Sequence, residues 1–178
     1  MKKAIIVLCI AVMILPLAAA ASQVDLGKLS LAVPASCDVF TPGMRPDDPL
    51  LALYGTSAEQ VARDLGSQGL LMMAREIAGA YTITLSFQPD AGPDYSGMAE
   101  SELMNEAQLN AQSGALDSVL YSRQAAFLVL RSGNALSLIT RVNGAFYRLV
   151  LKAQGSLAGQ MTDILEKIAQ SMDFGRGQ

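Results

Sequence analysis

The chain of 178 residues contains no histidine, and that absence decides much of what its reactive side chains could do. Ser-His-Asp and Cys-His nucleophile systems need an imidazole, and the common zinc sites use one as a ligand. Without it the serines read as helix caps, turns and wet strand faces. Of the two cysteines, Cys9 and Cys37, Cys37 has no imidazole to activate it and reads as a small buried hydrophobe, with pairing between chains as the alternative.

Carboxylates can work without histidine. Asp90 and Asp94 flank Ala91-Gly92-Pro93, and Asp47 and Asp48 lie among prolines. Either loop could gather a hard cation through oxygen ligands, but neither has the spacing of a calcium loop, and both read as turn aspartates. No two acids stand out as a glycosidase-like pair. Glu100, Glu102 and Glu106 make an acidic ridge that reads as the solvated face of a polar helix. Arg123, Arg131, Arg141 and Arg148 fall in four successive expected strands. They could form one patch that reads carboxylate or phosphate; separate salt bridges are the plainer reading. Met44, Met72, Met73, Met98, Met104, Met161 and Met172 lack the clustered Met-x-x-Met pattern of a copper carrier and read as core fillers. The expectation is therefore no catalytic residue, no cofactor-binding residue, no metal ligand and no cofactor.

Charge narrows the partners. There are 13 Lys and Arg against 16 Asp and Glu, with no basic run, so nucleic acid and polybasic attachment to anionic membranes are excluded as expectations. The excess of acids grows if the N-terminus is removed. Lys2 and Lys3 precede an apolar run from Ala4 to Leu15, Pro16 breaks it, and Ala18 to Ala21 supplies small side chains for a signal peptidase. Residues 1–21 read as a signal peptide with cleavage between Ala21 and Ser22, and the product as secreted or periplasmic. The alternative is an N-terminal anchor, since the apolar stretch just reaches bilayer length. Neither cysteine sits where lipid attachment would need it.

The remaining 22–178 reads as one domain, without repeat, linker or internal disulfide, so its stability must come from its core. Strands are expected at Lys28 to Val33 and around Val39-Phe40, then a helix opened by a capping box from Ser57 to Gln60. Leu70 to Ile77 and Tyr81 to Gln88 follow as strands, the second alternating apolar with polar. A polar helix from Ser96 to Gln112 leads into four strands, Leu116 to Ser122, Ala125 to Arg131, Ala135 to Val142 and Phe146 to Ala153, the last pair joined by a two-residue Asn143-Gly144 turn. Phe127-Leu128-Val129-Leu130 has no polar alternation, which suits a central strand covered on both faces. A closing helix from Leu157 to Met172 carries an apolar stripe. The class is α+β, a single antiparallel sheet with helices on both faces in the order ββαββαββββα.

Leu31-Ala32-Val33-Pro34, the aspartate-proline segment before the capped helix, the Asn143-Gly144-Ala145-Phe146-Tyr147 hairpin and the closing Ile164 to Phe174 run together resemble the PsbP-like fold family. That family includes exported bacterial proteins of no known function and lipoproteins of the DcrB type. The resemblance implies an antiparallel sheet between helices and accessory or binding roles, and the missing histidine departs from any histidine-assisted metal site of photosynthetic relatives. Function does not follow from fold. The expected role is an exported, non-enzymatic binding or accessory module of the cell envelope acting on a protein or ligand partner. Its alternatives are a carboxylate-based enzyme and a structural or assembly component. The sequence leaves the oligomeric state open.

Overall fold

The computed structural model describes residues 21–155 and 159–175. Its strands are β1 (Ala21–Asp25), β2 (Ser30–Pro34), β3 (Cys37–Phe40), β4 (Leu70–Glu76), β5 (Tyr81–Pro89), β6 (Ala115–Tyr121), β7 (Ala126–Ser132), β8 (Ala135–Val142) and β9 (Ala145–Ala153). The helices are α1 (Pro49–Leu53), α2 (Ala58–Ser67), α3 (Glu100–Leu109) and α4 (Gly159–Ser171). From β2 onward this contains the expected order, with β1 added in front and the short α1 before α2. The expected signal peptide falls almost wholly outside the described residues, as does Leu157 at the head of the closing helix.

Seven strands make an antiparallel sheet in the order β3-β4-β5-β9-β8-β7-β6, and β1 and β2 form a separate hairpin. The fold is α+β as expected, but the sheet is not the whole of its β structure. β1 escapes a pattern reading because Ala21-Ser22-Gln23-Val24-Asp25 is mostly exposed and owes its extended form to backbone pairing with β2, Ser22 opposite Val33 and Asp25 opposite Ser30.

One face of the sheet carries Ile83, Leu85, Phe127, Leu136, Leu138, Leu149 and Leu151, packed against Leu31 and Val33 of β2, Leu165 and Ile168 of α4, and Met172 just after it. Each such side chain contributes at most about 1.5–3 kcal/mol. The other face is covered in two patches. Leu103 and Ala107 of α3 lie on Leu128, Leu130 and Ile139, while Val61 and Leu65 of α2 close over Phe40 and Met73. Between the patches Thr82, Thr84, Ser86 and Arg148 remain half-buried, which explains the alternation of β5.

β7 is buried on both sides from Ala126 to Leu130, as its unbroken apolar run requires. It is nevertheless second from the sheet edge, not central. Coverage by helices, and not position in the sheet, sets the pattern. The middle strand, β9, alternates because α3 does not reach across it.

Local signals place the turns and helix ends. Ser57 Oγ accepts the Gln60 amide at 3.2 Å, but the Gln60 side chain donates to Asp64 at 2.7 Å instead of returning to the cap, so the expected box is half formed. Asn143 (φ 53°) and Gly144 (φ 71°) make the left-handed pair of a tight hairpin. That turn sets Val142 opposite Ala145 and Arg141 opposite Phe146, leaving Arg148 diagonal to Arg141 as anticipated. α3 is shorter than expected because single 3-10 turns at Tyr95–Gly97 and Ala111–Ser113 flank it.

Candidate functional site

The residues singled out in the sequence disperse. Asp47 pairs with Arg45 at 2.9 Å on the surface, and Asp48 caps α1 by accepting the Leu50 amide at 2.9 Å. Arg123 is exposed in the turn before β7 and not in a strand, while Arg131 pairs with Asp117 at 3.0 Å. The four arginines therefore form no common patch. Met104 is exposed, whereas Met72 and Met172 are buried in the core. Cys37 is buried, 3.5 Å from the Tyr81 hydroxyl. Burial pushes its thiol above the ordinary value and keeps it a poor nucleophile. Among the described residues no three acids or cysteines gather as a metal would need.

The acidic ridge also divides. Glu100 is exposed, and Glu102 turns back to accept the Ala99 amide at 2.7 Å. Glu106 faces inward. Its Oε2 accepts from the fully buried Tyr95 hydroxyl at 2.9 Å, and its two oxygens face the two terminal nitrogens of Arg141 at 3.4 Å each. Arg141 Nε lies 3.0 Å from Asp90 Oδ2, an ion pair rather than an aligned hydrogen bond. The guanidinium stacks 5.2 Å from the Tyr95 ring centroid.

Gly92 permits this closure, because a Cβ there would come within 2.7 Å of Arg141 Cζ. Its amide donates to Asp90 Oδ1 at 2.8 Å. That bond, together with Arg141, holds the Asp90 carboxyl below its ordinary range. Desolvation alone would lower Arg141, but Asp90 and Glu106 outweigh it and raise the guanidinium further. Every charge in the cluster has a partner, so it clamps α3 and the 90–95 loop to the sheet and leaves nothing for a ligand.

Another cation lies over a ring and has no ion-pair partner among the described residues. Lys28, in the β1-β2 turn, holds its ammonium 4.0 Å from the centroid of Phe87 on β5. Phe87 and Tyr147 of β9 are 5.5 Å apart, and Tyr147 and Phe174 are 5.1 Å apart. The segment after α4 is brought here by paired backbone bonds between Ser30 and Asp173 and by Gln124, whose side chain accepts from the Phe174 amide at 2.9 Å. With the Asn143-Gly144 turn, Pro89 and Ala145, these residues enclose a cavity of about 810 Å³. That is within the roughly 300–1,000 Å³ of small-molecule sites.

Tyr147 gives the cavity its chemistry. Tyr54 donates to Asp38 at 2.7 Å, Tyr81 accepts from Cys37 and Tyr95 donates to Glu106. Tyr147 is 4 % exposed, lines the cavity, and its hydroxyl has no hydrogen-bond partner among the described residues. Burial alone raises its pKa. Of the described residues on the wall, Lys28 is the only cation and none is an acid.

The adjoining cavity, about 570 Å³, shares Asn143 and Gly175 but has Asp94 and Asp173 on its wall. A third cleft of about 360 Å³ is bordered by Ala21, Tyr81 and Ile168, so the expected cleavage would alter it. The sequence reading missed the aromatic cavity. Only its Asn143-Gly144 turn was legible, because Lys28, Phe87, Tyr147 and Phe174 come from four distant segments.

No family model matches the chain, and no curated protein matches it. Among solved structures it is similar to the solution structure of the cyanobacterial PsbP (CyanoP) from Synechocystis sp. PCC 6803, with a TM-score of 0.49 and 9% identity over 87% of this chain and 92% of that one. That structure bears the name of the family that the sequence resembles, and no residue role comes with it.

Proposed function

We propose that the chain is an exported, non-enzymatic binding module of the cell envelope, and that the Lys28-Phe87-Tyr147-Phe174 cavity is where it takes a small ligand. The observation that carries the reading is Tyr147, 4 % exposed at the wall of a cavity of about 810 Å³, its hydroxyl without a hydrogen-bond partner among the described residues. A phenol both donates and accepts, so a ligand oxygen or nitrogen could bond it there. Export rests on Lys2, Lys3, the apolar run and the alanines ending at Ala21. Ser22, the first residue after the proposed cut, would still pair with Val33.

A carboxylate enzyme calls for two convergent acids, one of them held protonated. Asp94 and Asp173 do share a cavity, but the Gln124 side chain and the Gly175 amide lower the pKa of Asp173, the wrong direction for a proton donor. An assembly role would use an open strand edge. β6 is such an edge, but a bulge between Leu116 and Ser118 and the Asp117-Arg131 ion pair blunt it.

Two measurements test the proposal. Intact mass of the protein from its producing cell should correspond to a chain starting at Ser22; recovery of only the full-length chain overturns processing. A fragment screen read by amide shifts should place small apolar hits at Phe87, Gly144 and Tyr147. Hits confined to other surfaces overturn the site.

A further inference from the structure

We infer that this cavity selects monocarboxylic acids with a flat apolar body, the carboxylate meeting the Lys28 ammonium and the Tyr147 hydroxyl while the body lies against Phe174 and Pro89. The inference rests on the reading of the cavity as a ligand site. Its two strongest polar groups are of one kind: an ammonium has three donors and no acceptor, and a neutral phenol can always donate. Burial keeps the Tyr147 phenol protonated at neutral pH. Two donors lining one cavity suit a single anionic group, and such charge-assisted bonds are about twice as strong as neutral ones.

The sign of the charge is local. The chain carries a net charge of −3 and the neighbouring cavity presents Asp94 and Asp173, so an anion is disfavoured over most of the surface and admitted beside Lys28. The count of donors sets the valence. One ammonium can neutralise one negative charge; a dianion would keep a second charge beside Phe174 and Pro89 without a cationic partner among the described residues of the wall. Phosphate esters and dicarboxylates are therefore selected against.

Titration of the ¹⁵N-labelled full chain with phenylacetate, and separately with phenylacetamide, tests this. The two probes share shape and ring and differ in charge. Phenylacetate should shift the amides of Lys28, Phe87, Gly144 and Tyr147 and bind about 10-fold more tightly than the amide. Lys28→Gln, in an exposed turn, should remove that advantage and leave phenylacetamide unchanged, and Tyr147→Phe should weaken phenylacetate about 5-fold. Equal binding of the two probes, or an indifferent Lys28→Gln, overturns the carboxylate inference while the ligand site stands. Failure of both probes to bind, or shifts confined to the Asp94 and Asp173 side, overturns the inference and the site together.

Discussion

Three cations among the described residues lie over aromatic rings, and two of them, Arg141 and Lys28, differ in what surrounds them. Arg141 over Tyr95 is held by Asp90 and Glu106, and the Tyr95 hydroxyl is itself bonded to Glu106. Among the described residues, Lys28 over Phe87 faces no acid and the nearby Tyr147 hydroxyl is bonded to nothing. The same pieces serve opposite ends. Where the cation has its carboxylates the cluster fixes a helix to a sheet; where it has none among the described residues, the donors are left for something from outside.

The comparison is most sharply tested by stability. Arg141→Met should cost about 3 kcal/mol in urea unfolding, because it leaves Asp90 and Glu106 facing each other without their cation. A loss under about 1 kcal/mol would reduce the clamp to an ordinary surface pair. Tyr95→Phe should cost about 1–2 kcal/mol, since it removes the shorter of the two bonds to Glu106 Oε2 and leaves only Arg141 there.

Acid should reveal the same clamp. The Asp90 pKa is depressed below its ordinary 3.8, first by the Gly92 amide and then by Arg141. A depressed carboxyl stabilises the fold above its unfolded pKa, and that stability is lost as pH falls from near 3.8 through the lower folded value. Melting temperature should therefore drop from pH 5 to pH 2.5, and less steeply in Arg141→Met, where Asp90 titrates closer to its unfolded value. An unchanged slope in the variant would show that Asp90 does not feel Arg141.

The smallest effects are expected at the open site. Tyr147→Phe and Lys28→Gln should each change stability by no more than about 0.5 kcal/mol. If Tyr147→Phe costs as much as Tyr95→Phe, its hydroxyl already has a partner and the two sites are alike.

Much of the scaffold could be read from the residues. The alternation of Tyr81, Ile83 and Leu85 marks a strand with one wet face, Asn143-Gly144 marks a tight turn, and the stripe of Ile164, Leu165, Ile168 and Met172 marks the closing helix, because each is a local periodicity or a local backbone preference. The unbroken run in β7 was legible as double burial but not as a place in the sheet, since residue order says which faces are covered and not what lies beyond a neighbouring strand. Glu106 looked like one of three solvated acids. Its partner Arg141 is 35 residues away, and only the sheet register and the approach allowed by Gly92 bring them together.

By itself the sequence determined the absence of imidazole chemistry, the acidic balance, the α+β class and the order of elements, all properties of composition or of short stretches of chain. Tertiary structure alone decided which charges are neutralised and which are left. Whether Lys28 or Arg141 meets a carboxylate depends on strand pairing between segments far apart in the chain, and the energy of a charge is set by the few ångströms around it.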